Sequence, residues 1–137
     1  MAYTVAQVIN RALKRIFVLG AGETTDAEDS ADGLEAYNAM MFGFEADGLT
    51  LHDESDVTYS HAAQALSASF PLADKHFEGV SALLAQRLAP DYGAEISAAL
   101  AIDIQAGMNR MYADFFSIGE VSFDGALTRL PSQADKF

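Results

Sequence analysis

The sequence predicts a mainly α fold: a four-helix bundle with a small β-hairpin excursion and an extended C-terminal tail. Three observations predict it. Apolar residues recur at steps of three and four over four stretches, the spacing that lines them up on one side of a helix. Capping residues, glycines and a proline punctuate the ends of those stretches. Only residues 49–60 carry short β-prone pieces around a polar turn. Half of the 137 residues are hydrophobic, which argues against wholesale disorder and supplies a core for one domain. The bundle is expected to occupy residues 1–117 and the tail residues 118–137.

The first helix is expected near residues 4–19. Thr4-Val5-Ala6-Gln7 has the form of a capping box. Val5, Val8, Ile9, Ala12, Leu13, Ile16 and Phe17 trace an apolar stripe, with Gln7, Asn10, Arg11, Lys14 and Arg15 opposite. Gly20 and Gly22 then stop the helix. A second capping box, Thr25-Asp26-Ala27-Glu28, opens a helix over 25–47, and Asp26, Glu28 and Asp29 suit the positive end of its dipole. Its stripe is Ala27, Ala31, Leu34, Met41 and Phe44, with Tyr37 and Met40 beside it, and Asp47-Gly48 ends it. Leu49-Thr50-Leu51 and Val57-Thr58-Tyr59 flank the turn Asp53-Glu54-Ser55-Asp56 and read as a hairpin. Residues 61–69 are a loop of small residues.

The third helix is expected over 72–89, on Phe77, Val80, Leu84 and Leu88, with Ser81 and Leu83 on its flanks. Pro90 lacks an N–H and disfavours helix at Ala89, so the helix should end there. Proline suits a first helical turn, so a fourth helix over 91–117 can begin at once. Its stripe is Ile96, Ala99, Leu100, Ile104, Met108, Met111 and Phe115. The expected result is a corner with almost no loop, hinged at Pro90 and Gly93. Asp103 interrupts the fourth stripe and either faces out or pairs with Arg87 or Arg110. After Phe116 periodicity is lost. Residues 117–137 hold two glycines, one proline and the large apolar residues Ile118, Val121, Phe123, Leu127, Leu130 and Phe137. That is too apolar for a solvated linker.

The formal net charge is −12, which disfavours binding to nucleic-acid backbones. Residues 23–56 carry eleven acidic side chains and no Lys or Arg, whereas the first helix holds Arg11, Lys14 and Arg15. Two readings stand: solvated faces, or complementary contact of the first helix with an acidic face that includes Asp29 and Asp32, within the chain or between copies. The absence of cysteine excludes disulfides, thiolate metal sites and cysteine nucleophiles. No apolar run approaches the roughly 18 residues of a membrane span, and Arg11, Lys14 and Arg15 interrupt the only candidate signal-peptide core. A soluble cytosolic chain without a membrane partner is the expectation.

Little here points to catalysis or a cofactor. Gly20-Ala21-Gly22 begins like a dinucleotide fingerprint, but Thr25 stands where the third glycine belongs and a helix precedes it. A calcium loop from Glu28 aligns Ser30, Asp32 and Gly33, but Ala39 falls where a bidentate glutamate is needed. His52, His61 and His76 lack the spacing of a helical metal site; His52 and His61 could meet across the hairpin with Asp53 or Asp56, but read rather as exposed loop histidines. Glu23 with Asp32, or Glu95 with Asp103, are the nominal carboxylate pairs for a small hydrolase, without further support. Met40, Met41, Met108 and Met111 suit irregular core gaps. No catalytic, cofactor-binding or metal residue is expected.

The segment Leu84-Ala85-Gln86-Arg87-Leu88-Ala89-Pro90-Asp91-Tyr92-Gly93 resembles the "LAxRLAPxYG" segment of head-to-tail connector proteins of tailed bacteriophages, also called adaptor, head-completion or tail accessory proteins, the short-tailed phage type above all. An amphipathic first helix, an acidic cap-rich loop and a helix from Leu34 to Phe44 ending in Glu45-Ala46-Asp47-Gly48-Leu49 follow the family's order over residues 3–116. The family often has Trp near residues 42–44, and this chain has none. The resemblance implies a structural virion protein, made in the host cytoplasm and placed at the head–tail junction. It implies a homo-oligomer, a dodecameric ring beneath the portal protein that closes the filled head and offers a platform for tail components. Arg11, Lys14, Arg15, Asp29 and Asp32 would then meet between subunits, and Ile118, Val121, Phe123, Leu127 and Leu130 would dock on the portal. The readings from other classes are an acidic helical protein that holds one partner in a groove, and the small hydrolase.

Overall fold

The computed structural model describes residues 3–20, 22–23 and 25–116. Among them the chain is mainly helical, with α1 (Val5–Arg15), α2 (Ala27–Ala46), α3 (Phe77–Leu88) and α4 (Ala98–Phe115), and 3-10 turns at Asp74–His76 and Ala89–Tyr92. The expected tail and its residues Ile118, Val121, Phe123, Leu127 and Leu130 lie outside the described residues.

α1 starts where its cap residues put it. The Gln7 amide N–H donates to the Thr4 hydroxyl at 3.3 Å, and the Thr4 N–H donates to the Gln7 side chain at 2.8 Å. The helix ends four residues earlier than expected. The N–H groups of Phe17 and Val18 turn back to the carbonyls of Lys14 and Leu13, and Phe17 takes a φ of 63°. Ile16 and Leu19 are buried while Phe17 points outward, 82% exposed, so it is not part of the core stripe.

α2 is capped by Asp26 rather than Thr25. The Asp26 carboxylate accepts from the Asp29 N–H at 2.7 Å, and the Thr25 hydroxyl donates instead to the Asn10 side chain. Its buried residues are Gly33, Tyr37, Met40, Met41 and Phe44. Ala27 and Ala31 face solvent, because Ile9 of α1 occupies the space over Gly33.

α3 is the centre of the molecule. Nine of its twelve residues are buried, including Ser81 and Leu83, so it is apolar nearly all round, as a helix surrounded by others must be. It packs most extensively on α1 and α4 and also meets α2, which in turn lies against α1.

The corner between α3 and α4 is longer than the sequence suggested. Ala89 stays helical (φ −53°, ψ −46°) despite the following proline. The loss of one donor at Pro90 tightens the helix into a 3-10 turn rather than stopping it. The reversal comes at Gly93, whose φ of 62° breaks the helix, with the Ala94 N–H donating to the Ala89 carbonyl at 2.9 Å. α4 begins only at Ala98, where Ser97 caps the Leu100 N–H at 3.1 Å. Its buried residues are Leu100, Gly107, Met111 and Phe115, and Ile96 and Ala99 are exposed.

The expected hairpin is not formed. The described residues contain no strand, only single antiparallel bridges joining Thr4 to Ser69, Leu49 to Phe116 and His52 to Thr58. The Asp53 carboxylate accepts the N–H groups of Ser55 (2.8 Å) and Val57 (3.0 Å), which holds a tight turn. Farther back, Thr50 donates to the Phe115 carbonyl at 2.8 Å. Residues 49 and 50 are thus committed to closing the end of α4 and cannot pair with a second strand.

Candidate functional site

Two oppositely charged surfaces stand out, and α2 builds the first. A groove of about 440 Å³ lies between α2 and the proline turn, lined by Asp32, Glu35, Ala36 and Ala39 on one side and Leu88, Asp91 and Tyr92 on the other. Asp32 and Glu35 stand one turn apart on one helical face. Asp91 is brought to them because the 3-10 turn after α3 lies against α2 before the chain reverses at Gly93. The Tyr92 hydroxyl donates to Asp29 at 2.8 Å and pins the turn to the helix. Partial burial first, then the bonded Asp29 and the neighbouring Asp32 and Asp26, raise the Tyr92 phenol above its ordinary range, so it keeps its proton and remains a donor. The lining contains carboxylates over a floor of alanine, leucine and tyrosine, and no cation. Such a cleft favours an apolar group that carries positive charge.

The second surface is the basic face of α1. Arg11 Nε lies 3.1 Å from Glu78, and Arg15 reaches both Glu78 (3.0 Å) and Asp103. These residues border a cleft of about 320 Å³ with Arg110 at its edge. Arg11 and Arg15 thus meet carboxylates within the chain, but those of Glu78 on α3 and Asp103 on α4 rather than the acidic stretch 23–56 with Asp29 and Asp32. Asp103 pairs with Arg15 rather than with Arg87 or Arg110. The Lys14 ammonium pairs with no carboxylate among the described residues.

The structure thus places Asp32 in the groove wall, ties Asp29 to it through Tyr92, and sets Arg11 and Arg15 around a second cleft. Of the nominal hydrolase pairs, Asp32 lines the first groove without Glu23 and Asp103 lines the second cleft, paired with Arg15, without Glu95.

His52 and His61 are not the exposed loop residues expected, His52 being partly buried. His61 and His76 are buried. His76 Nε2 and Lys75 Nζ each lie 2.8 Å from Asp114. His52 Nε2 lies 3.2 Å from the Asp114 carbonyl, and the rings of His52 and His76 pack on Phe115 at 4.6 and 4.8 Å. Burial lowers the His76 imidazole, with Asp114 opposing. The Lys75 ammonium, followed by His76, holds the Asp114 carboxyl below its ordinary range. His61 Nε2 lies 3.0 Å from the Asn38 side-chain oxygen, and burial lowers this imidazole too. These are fastenings for loops. Among the described residues no three potential ligands converge on a point that could hold a metal.

Sequence reasoning missed Asn38. Its oxygen also accepts from the Gln64 N–H at 2.9 Å, while its amide donates to the Gln64 carbonyl at 3.1 Å, fixing the 61–69 loop on α2. A polar residue beside Tyr37 in an apolar helix was the available signal. No helix among the described residues is long and apolar enough to cross a membrane. No family model matches the sequence, and no curated protein matches it significantly.

Proposed function

We propose that this chain is a structural virion protein, a head-to-tail connector that forms a ring under the portal of a tailed bacteriophage, closes the filled head and carries tail components. The observation that carries the reading is the segment 84–93. The residues that resemble the connector motif are built as one unit: the end of α3, the turn on Pro90 and the reversal at Gly93. The acidity has a use in that setting. A chain with a net charge of −12 repels the DNA backbone and lets a genome slide past without sticking. The test is a pull-down of the full chain with its cognate portal protein. Stable capture that is lost on deletion of residues 119–137 is the expected result; no capture of the portal, by the full chain at low or physiological salt, overturns the reading. The groove beside Tyr92 favours one second reading, an acidic helical protein that seats a single cationic partner there, and a pull-down that recovers such a partner and no portal would select it.

A further inference from the structure

We propose that Phe17 of one copy of this chain, with Lys14 beside it, seats in the acidic groove of a second copy. The contact deepens the ring reading and rests on it for the expectation that copies associate; the surfaces themselves are argued from the structure alone.

Phe17 holds a left-handed backbone, φ 63°, in the position after a helix end where glycine is normal. A large side chain there is strained, and such strain persists only where surrounding structure or function maintains it. The left-handed turn closes the helix end and keeps Ile16 and Leu19 in the core, but the Phe17 ring takes no part in that packing, being 82% exposed. The chain thus holds an aromatic side chain out into solvent from a rigid helix end.

The groove needs a partner of matching chemistry. It has carboxylates at Asp32, Glu35 and Asp91 over Ala36, Leu88 and Tyr92, in about 440 Å³. A cavity on the order of 150 Å³ already takes benzene, so a benzyl side chain fits. From Glu23 to Asp56 the sequence has no Lys or Arg, so the neutralising charge must come from outside that stretch. The other exposed apolar side chains do not supply it. Val57, Ile96 and Ile102 are exposed but stand next to Asp56, Glu95 and Asp103, which the groove repels. Tyr112 and Phe116 pack on each other with tilted rings at 5.7 Å, and Phe42 packs on His61 at 4.7 Å. The Phe17 N–H donates to the Lys14 carbonyl at 3.2 Å, which ties the two residues together at the helix end, and the Lys14 ammonium has no carboxylate partner among the described residues. Knob and groove are different surfaces of the same chain, so the contact is head-to-tail, the kind that closes a ring or propagates a filament.

Sedimentation equilibrium of the full-length chain tests this, at low and high salt and up to about 1 mM, since a contact this small is weak unless a ring closes. The wild-type chain is expected to associate, less so at high salt. Phe17→Gly is expected to weaken association at least tenfold. Because glycine relieves the left-handed strain, the same variant should melt roughly 3–6 °C higher, whereas a phenylalanine that merely packs against its own chain would lower the melting point when removed. Lys14→Glu should weaken association, and Asp32→Lys in a mixed second copy should restore it. A chain that stays monomeric throughout, or a Phe17→Gly variant that associates as tightly as wild type, overturns the contact. Intact self-association without portal capture would overturn the connector reading and leave this contact standing; portal capture by a chain whose copies never associate would do the reverse.

Discussion

Gly93 shows how one residue decides a local path. With a φ of 62° and no heavy atom within 4 Å of an added Cβ, the position demands a left-handed backbone and nothing else. Gly93→Val is expected to destabilise the chain by roughly 2 kcal/mol through backbone strain alone, and Gly93→Asn by clearly less, since asparagine tolerates that conformation. Urea denaturation of the two variants checks the order, and equal losses would show that packing rather than φ sets the cost. Pro90 has the smaller role. Its restriction on Ala89 is a preference that the packing of α3 overrides, and the Tyr92–Asp29 hydrogen bond holds the turn whatever stands at position 90.

Between elements, α3 and α4 meet backbone to backbone at Gly79 and Gly107. A Cβ added to Gly107 would sit 2.8 Å from Gly79 Cα and 2.9 Å from its carbonyl oxygen. Backbone stands there, so nothing can swing aside and the helices must separate. Gly107→Ala is expected to cost roughly 2 kcal/mol by overpacking, although alanine is the better helix former. Gly43 in α2 is the control. Its added Cβ meets only the flexible end of Arg87 at 3.5 Å, so Gly43→Ala should stabilise by about 0.5–1 kcal/mol. Thermal melts followed by circular dichroism should move in opposite directions for the two variants. Gly107 stands three residues after Ile104 and four before Met111, at the spacing of the stripe; apolar periodicity passes over it because glycine contributes no apolar side chain.

At the scale of the whole molecule, charge and pH act together. Burial lowers the imidazoles of His61 and His76 below their ordinary 6.5. The groups facing His76 divide: Asp114 opposes the shift, and Lys75 and Arg110 reinforce it. A depressed imidazole is neutral in the folded chain and binds protons more readily when unfolded. Its contribution to stability is therefore complete above pH 6.5 and is lost as pH falls below that value. Carboxylates ordinarily titrate near 4, so between about pH 7.5 and 5.5 the histidines dominate the slope. The melting temperature should fall over that range, and His76→Gln, which keeps a hydrogen-bonding end for Asp114, should flatten the fall. A melting temperature independent of pH there would show that neither ring is held neutral.

By itself the sequence determined that the chain is mainly helical, where four helices lie, the capping box of α1 and the stop after α2. These rest on period and local hydrogen bonding, which neighbours in the chain settle. It also showed the charge asymmetry. Tertiary structure alone decided which surfaces those charges meet. Arg15 and Asp103, or Tyr92 and Asp29, are far apart in sequence and meet only because α3 stands between α1 and α4 and the turn after it folds onto α2. It decided that residues 49 and 50 close the end of α4, leaving only a single bridge between His52 and Thr58 where a hairpin was expected, since a helix end with unsatisfied carbonyls offers an N–H partner that local pattern does not reveal. It also turned Phe17 outward. Periodicity assigned that residue to the core, but the helix beneath it ends at Arg15, and beyond a helix end the periodicity no longer governs where a side chain points.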